Sequence, residues 1–481
     1  MSSSTFSKSI MPKTERTTEE KGESRMKQQS ERLGVEPIPQ LLVQLAVPAV
    51  VGLLVMSLHN VIDAIYISYS VGTIGMAAVS VAFPIQMLVM AVAGAFGIGG
   101  GSLISIALGA NDVDRANRVF GNITSLVLIF SLAAALLGLT ILEPMLTFFG
   151  ASATILPYAC DYQGIILYST VFFAFAFAMN NVIRAEGNAK TAMLSMIISA
   201  ILNIIFTPIF IYGFGMGIKG AAVGTIVAQG ITAVYLVYYF LSGRSSLSLK
   251  KAYLIPKLDL IKQILAIGAS PFVRQSSGSI MLITANNLLN QYGGDLALAV
   301  MGINFRIIHF VTVPILGILQ GLLPLVGFNY GARQGERVSA SIKLGLKAAS
   351  AIAISAFILV MTLPKYLIMI FTNDPAAIAM GQKALRVMFA FAFTIGIQIV
   401  TGGIFQALGN ARVAFFLSLS RQIIFLIPLL LLLPLALQLS GIWAAFAGAD
   451  LLSFFVALWF INRYQGIFFK ASLPELPATK T

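Results

Sequence analysis

The chain has 481 residues, of which 58% are hydrophobic and only 10% charged, against about 25% charged in an ordinary soluble protein. That composition and a mean hydropathy of +0.90 argue against a soluble multidomain enzyme. Lys and Arg exceed Asp and Glu by 31 to 18, a net charge of +13; in a membrane chain such an excess points to cytoplasmic loops before it points to nucleic acid.

Residues 1–40 form the only long polar stretch, with seven basic and six acidic side chains and no apolar core of a signal peptide. A largely disordered cytoplasmic tail is expected there. Apolar runs then follow at roughly 41–69, 76–108, 120–149, 155–183, 191–214 and 218–242. After a polar linker at 243–262, six more lie at roughly 263–290, 297–328, 342–371, 377–407, 412–435 and 440–463. Each is long enough to cross a hydrocarbon core about 30 Å thick as a helix, and none shows the alternation of a barrel strand. The predicted fold is an all-α polytopic membrane protein of twelve spans. Its lobes are 41–242 and 263–463, and a cytoplasmic tail follows at 464–481. The lone Cys160 excludes an internal disulfide.

The tail, the loops after the even-numbered spans and the C-terminus hold 24 of the 31 basic residues. Only Lys219, Lys365 and Lys383 lie in the opposite loops. By the positive-inside rule both termini are cytoplasmic in a multi-pass cell membrane protein.

The two halves repeat. "LGANDVDRANRV" after span 2 aligns with "YGARQGERVSAS" after span 8, matching Gly109 to Gly331 and Arg115 to Arg337. "AEGNAKTA" after span 4 aligns with "ALGNARVA" after span 10, matching Gly187 to Gly409 and Asn188 to Asn410; both pairs share an offset of 222. Six spans per half is an even number, so the halves share one orientation and an axis along the membrane normal.

Together with "LAVPAVVG" opening span 1, "NVIDAIYIS" at its far end, "GIGGGSLISIALGA", "RAEGNAKTAM", "PLVGFNYGAR" and "FQALGNAR", these motifs resemble the MATE (multidrug and toxic-compound extrusion) transporters over about 35–465. The resemblance implies a V-shaped pair of six-helix lobes that exports diverse, amphipathic small molecules in exchange for H⁺ or Na⁺. It implies no enzymatic activity and no cofactor, and a P-loop for ATP is absent from the sequence. The expected form is a monomer in the bilayer with no nucleic-acid partner. A lipid or lipid-linked-sugar flippase, and a channel or non-transporting scaffold, remain the alternatives.

Ionisable groups inside spans are costly and default to functional hypotheses. Among the acids, Asp63 and Asp450 lie well inside apolar runs. The resemblance implies a cation-linked Asp fifteen residues after the span-1 proline, where Asp63 follows Pro48. Its implied partners fall on Asn203, Thr207 and Thr225; Asn203 and Thr207 share a helical face at i, i+4. Many family members carry Asp where this chain has Thr207. One carboxylate instead of two favours H⁺ over Na⁺ as the coupling ion, with Na⁺ at Asp63 still open.

Asn180 and Asn181 are candidate supports for that site. The second lobe has no acid in spans 7 and 10, and carries Arg274, Gln275 and Arg306 as candidate cavity residues, with Arg421–Asp450 as an expected structural pair. Pro48 and Pro271 mark expected bends, and Gly99 and Gly100 expected close packing or bending.

Overall fold

The computed structural model describes residues 30–469, and all regular structure among them is helical. Two helices, Ile38–Gly109 and Leu258–Gly331, are each long enough for two spans and are broken by one glycine, Gly72 (φ 71°) and Gly294 (φ 61°). Such angles cost a residue with a Cβ but not glycine. A third break, at Gln438 (φ 48°), divides Ile427–Arg463. With these breaks, and with Pro375–Met388 and Ala392–Ala407 taken as one span bent by 46°, the described residues form twelve spans in two lobes.

The sequence repeat is written into the backbone. Positive φ recurs at equivalent positions: Gly72 and Gly294, Asn111 and Arg333, Gly187 and Gly409. Asn188 and Asn410 cap the helices that follow spans 4 and 10, their side chains accepting from Thr191 N and Val413 N. Spans 5 and 11 both carry a π-helical segment, Ile209–Gly213 and Ser420–Leu426.

Packing between the lobes is equally paired. A Cβ on Gly109 would run into the Phe328 carbonyl, and one on Gly331 into the Ile106 carbonyl, the equivalent contact. Likewise Gly99 abuts Ile264 and Gly268 across the lobes, while Gly321 abuts Leu45 and Ala46. Each lobe's first span therefore lies along the other lobe's second. All of these contacts fall toward the end bearing the basic loops, called here the basic end. The expected role of Gly99 is thus met as backbone packing between lobes, whereas Gly100 faces Ile123 inside the first lobe. Pro48 and Pro271 are buried within helices, and the marked backbone breaks occur at Gly72 and Gly294 instead.

The apolar core explains where the molecule is open. Two clusters at the basic end mix lobes: one joins Ile104 and Phe120 to Ile264 and Phe328, the other joins Leu42 and Ala46 to Ile342 and Phe405. At the opposite end each cluster belongs to one lobe, around Ile67, Tyr162 and Ile218 in the first and Leu289, Met388 and Phe446 in the second. The lobes are thus sealed at the basic end and part toward the other.

Two boundaries differ from the sequence expectation. Residues 1–29 of the anticipated tail lie outside the described residues, but 30–35 are helical and Leu33 is 2% exposed. Asn329 Nδ2 and Arg337 Nη2 donate to the Leu33 carbonyl at 2.9 and 3.0 Å, so residues 30–40 are part of the fold instead of a disordered tail. Span 7 starts at Leu258, inside the expected linker, because Lys257 N donates to Asn122 Oδ1 at 2.7 Å and ends the extended segment there. Ser248 N on Asn117 Oδ1 and Ser125 Oγ on the Leu254 carbonyl fasten the rest of the linker to the first lobe.

Candidate cation site and the cleft between the lobes

Asp63 projects from span 1 among spans 4, 5 and 6, in the lobe-specific cluster away from the basic end. The hydroxyl of Thr207 stands at its carboxylate, and Tyr162, itself bonded to Gln86, lies close by. Thr207 Oγ1 donates to Asn203 Oδ1 at 3.1 Å, Asn203 Nδ2 donates to Thr225 Oγ1 at 3.0 Å, and Thr225 Oγ1 donates to the Ala221 carbonyl at 3.0 Å. Asn203 and Thr207 are buried because Gly224 of span 6 packs directly on the Thr207 backbone. The four residues expected to converge are therefore brought together. One atom is left over: Asp63 Oδ1 is buried and has no hydrogen-bond partner.

Asp63 supplies the one carboxylate of this cluster among the described residues. Apart from Asp63, the oxygens offered to a cation are already engaged with one another, and the described residues contain no group of three His, Cys, Asp or Glu able to hold a metal.

Asn180 and Asn181 do not join this site. Tyr162, beside Asp63, and Asn180 are eighteen residues apart on one helix, about 27 Å at 1.5 Å per residue. Asn180 instead donates to the Ala192 carbonyl at 2.7 Å and Ser195 Oγ at 2.8 Å, and Asn181 to the Phe177 carbonyl at 2.8 Å. They tie the basic end of span 4 to span 5 and to its own helix.

In the second lobe the expected pair forms, with Arg421 Nε on Asp450 Oδ1 at 2.6 Å. Gln275 Nε2 reaches Met87 Sδ at 3.2 Å across the lobes. Its neighbour Arg274 is half-buried and has no acidic partner among the described residues. Ser57 of span 1 meets His309 of span 8 at 3.0 Å, which turns that face of span 8 toward the cleft. Arg306, three residues before His309, shares the face and is exposed.

Two groups escaped the sequence reading. His59 sits one turn before Asp63 with its Nδ1 buried and unpartnered; an intramembrane His at i, i+4 from an Asp was the available signal. Glu186, in the turn after span 4, is 1% exposed and accepts from Tyr239 Oη at 2.6 Å, Ser245 Oγ at 2.8 Å and Ser246 N at 2.7 Å. Burial outweighs these donors and pushes its carboxyl up to about 7. Its place in a loop motif hid that burial.

Two equivalent six-span lobes closed at one end around a cleft define a multi-pass membrane transporter. The MatE family profile matches residues 48–209 and 272–432, and the chain belongs to that family. Multidrug export protein MepA of Staphylococcus aureus (strain N315) is 27% identical over 414 residues, covering 85% of this chain and 90% of that protein. MepA of Staphylococcus haemolyticus (strain JCSC1435) is 27% identical over 439 residues, covering 90% and 96%. Among solved structures, the MATE multidrug transporter DinF-BH is 46% identical with a TM-score of 0.86, covering 92% of this chain and 99% of that one. A MOP superfamily transporter from Pyrococcus furiosus Vc1, described as having a binding pocket of reverse polarity, is 26% identical with a TM-score of 0.85, covering 91% and 98%.

Proposed function

We propose that the protein is a secondary active exporter of amphipathic small molecules, driven by inward cation flow and working by alternating access of its lobes. The basic end faces the cytoplasm, both termini are on that side of the cell membrane, and the cleft opens outward. Sequence relatives that are multidrug exporters support the substrate class, and the positive-inside distribution of charge supports the orientation.

H⁺ is the coupling ion, and the observation that carries this is the orphaned Asp63 Oδ1 beside a closed set of hydrogen bonds. Thr207 has one hydroxyl proton, and it lies on Asn203. With its proton there, the hydroxyl meets Asp63 as an acceptor from a protonated carboxyl; when the carboxyl gives up its proton, the hydroxyl turns and donates to it. Loading and release of this proton change the charge buried between spans 1, 4, 5 and 6. That change costs more in a low dielectric than in water, so it is able to bias one lobe arrangement over the other.

The test is efflux from proteoliposomes of defined orientation, with dye as substrate and H⁺ and Na⁺ counterflow recorded together. Dye-induced H⁺ release with no Na⁺ movement, lost in Asp63→Asn while the protein stays folded, is the expected result. Na⁺ counterflow, efflux without any ion gradient, or normal transport by Asp63→Asn would overturn the assignment.

A further inference from the structure

At the closed basic end a small cavity lies between the lobes. Its walls are Ser102 and Ser105 of span 2, Asn181 and Arg184 of span 4, and Gln320 and Pro324 of span 8. About 20 Å³ is free inside it, room for one or two water-sized particles. Arg184 is 8% exposed, and its one hydrogen-bond partner among the described residues is Met196 Sδ at 3.5 Å, a weak acceptor. No carboxylate among them neutralises it. The nearest acid in sequence, Glu186, turns away and spends its oxygens on Tyr239, Ser245 and Ser246.

The lining carries more donors than acceptors, and its acceptors, the amide oxygens of Asn181 and Gln320 and the two serine oxygens, are all uncharged. Arg184 brings five N–H groups, and Asn181 has a second amide proton after its bond to Phe177. Gln320 faces the same space from the other lobe. The hydroxyls of Ser102 and Ser105 donate to the Ile98 and Ala185 carbonyls, so they compensate no positive charge. The negative end of the span-4 helix supplies at most about half a charge. What completes such a pocket is a particle that accepts hydrogen bonds, carries one negative charge and fits within the space of one or two waters.

We propose that this cavity is a binding site for a small monovalent anion, chloride under ordinary conditions, held by Arg184 of the first lobe and Gln320 of the second. The anion bridges the lobes where they close. It stabilises the arrangement sealed at the basic end and leaves the site when the lobes part there. Neither the cation site nor the identity of the exported substrate enters this inference.

The experiment is thermal unfolding of the purified full-length protein in detergent, followed by the fluorescence of Trp443 and Trp459 at constant ionic strength. Replacing gluconate by chloride or bromide is expected to raise the wild-type midpoint by about 2–4 °C, with saturation as the halide is titrated. Arg184→Gln is expected to lose this halide response. Gln320→Leu, which keeps the buried charge and removes the second lobe's amide, is expected to need several-fold more halide, and it decides the matter should Arg184→Gln fail to fold. Equal midpoints in chloride, bromide and gluconate, or a full response retained by Gln320→Leu and by any folded Arg184→Gln, would show a cavity that holds water only and overturn the proposal.

Discussion

The hydroxyl of Ser57 in span 1 lies 3.0 Å from Nε2 of His309 in span 8 and 3.0 Å from the Leu53 carbonyl. The hydroxyl has one proton for these two neighbours, so donor and acceptor at Nε2 follow from the imidazole tautomer. A polar contact of this kind joins the lobes away from the glycine seal. Its loss is expected to loosen the arrangement closed at the basic end.

His309→Phe tests this. One hydrogen bond is worth about 1 kcal/mol net, so the ratio of the two lobe arrangements is expected to shift about fivefold toward the one open at the basic end. Spin labels at Gly150 and Thr372, with Cys160 replaced by Ser, report the ratio as a distance distribution across the outer mouth. An unchanged distribution would mean that the contact has no energetic consequence.

Thr207 stands beside Asp63 at the position where the family resemblance implies a second carboxylate. Thr207→Asp places a second carboxylate beside Asp63, where Asn203 and Thr225 already offer oxygens. Transport by this variant is expected to become stimulated by Na⁺, and transport by the wild type is expected to be insensitive to it. Absence of any Na⁺ effect in vesicle assays of the variant would show that charge at this position does not select the ion.

The Arg421–Asp450 pair is asymmetric, since the Asp450 side chain is 3% exposed and that of Arg421 35%. Removing only the cation strands a buried carboxylate, at a cost of roughly 3–5 kcal/mol. Arg421→Leu is thus expected to lower the unfolding midpoint by much more than the double variant Arg421→Leu/Asp450→Leu. Similar losses in the two would assign the effect to packing.

Glu186 gives a pH dependence with a definite sign. Its carboxyl is raised to about 7 in the folded protein from 4.5, so the folded state holds the proton more tightly. Stability is expected to be highest below about pH 4.5 and to fall as pH rises toward 7, by roughly 3 kcal/mol from this group alone. Glu186→Gln is expected to flatten the unfolding midpoint over that window. A wild-type profile identical to that of the variant would contradict the burial argument.

Much of this was legible in the chain. The spans and the repeat follow from apolar runs and from motifs sharing one offset, and a protein of two equal halves must write both signals twice. Asp63, Asn203, Thr207 and Thr225 were legible because helical spacing and family motifs agree on them. Asn180 and Asn181 misled because residue type ignores depth: they lie at the wrong end of span 4. Leu33 was illegible for another reason. Its anchors, Asn329 and Arg337, are about three hundred residues away in sequence, and no local pattern in a charged segment announces them.

The contacts of Gly99 with Gly268 and of Gly109 with Phe328 have a kinetic meaning. A gate made of side chains flickers whenever a rotamer turns, on a picosecond to nanosecond scale, and each flicker leaks protons or small ions. Here main chain meets main chain, and no rotamer exists to turn. The barrier opens only when whole helices travel, in microseconds or longer. Passage through this barrier is thus limited to the frequency of whole-lobe movements, which keeps an idle transporter from dissipating the gradients across its membrane.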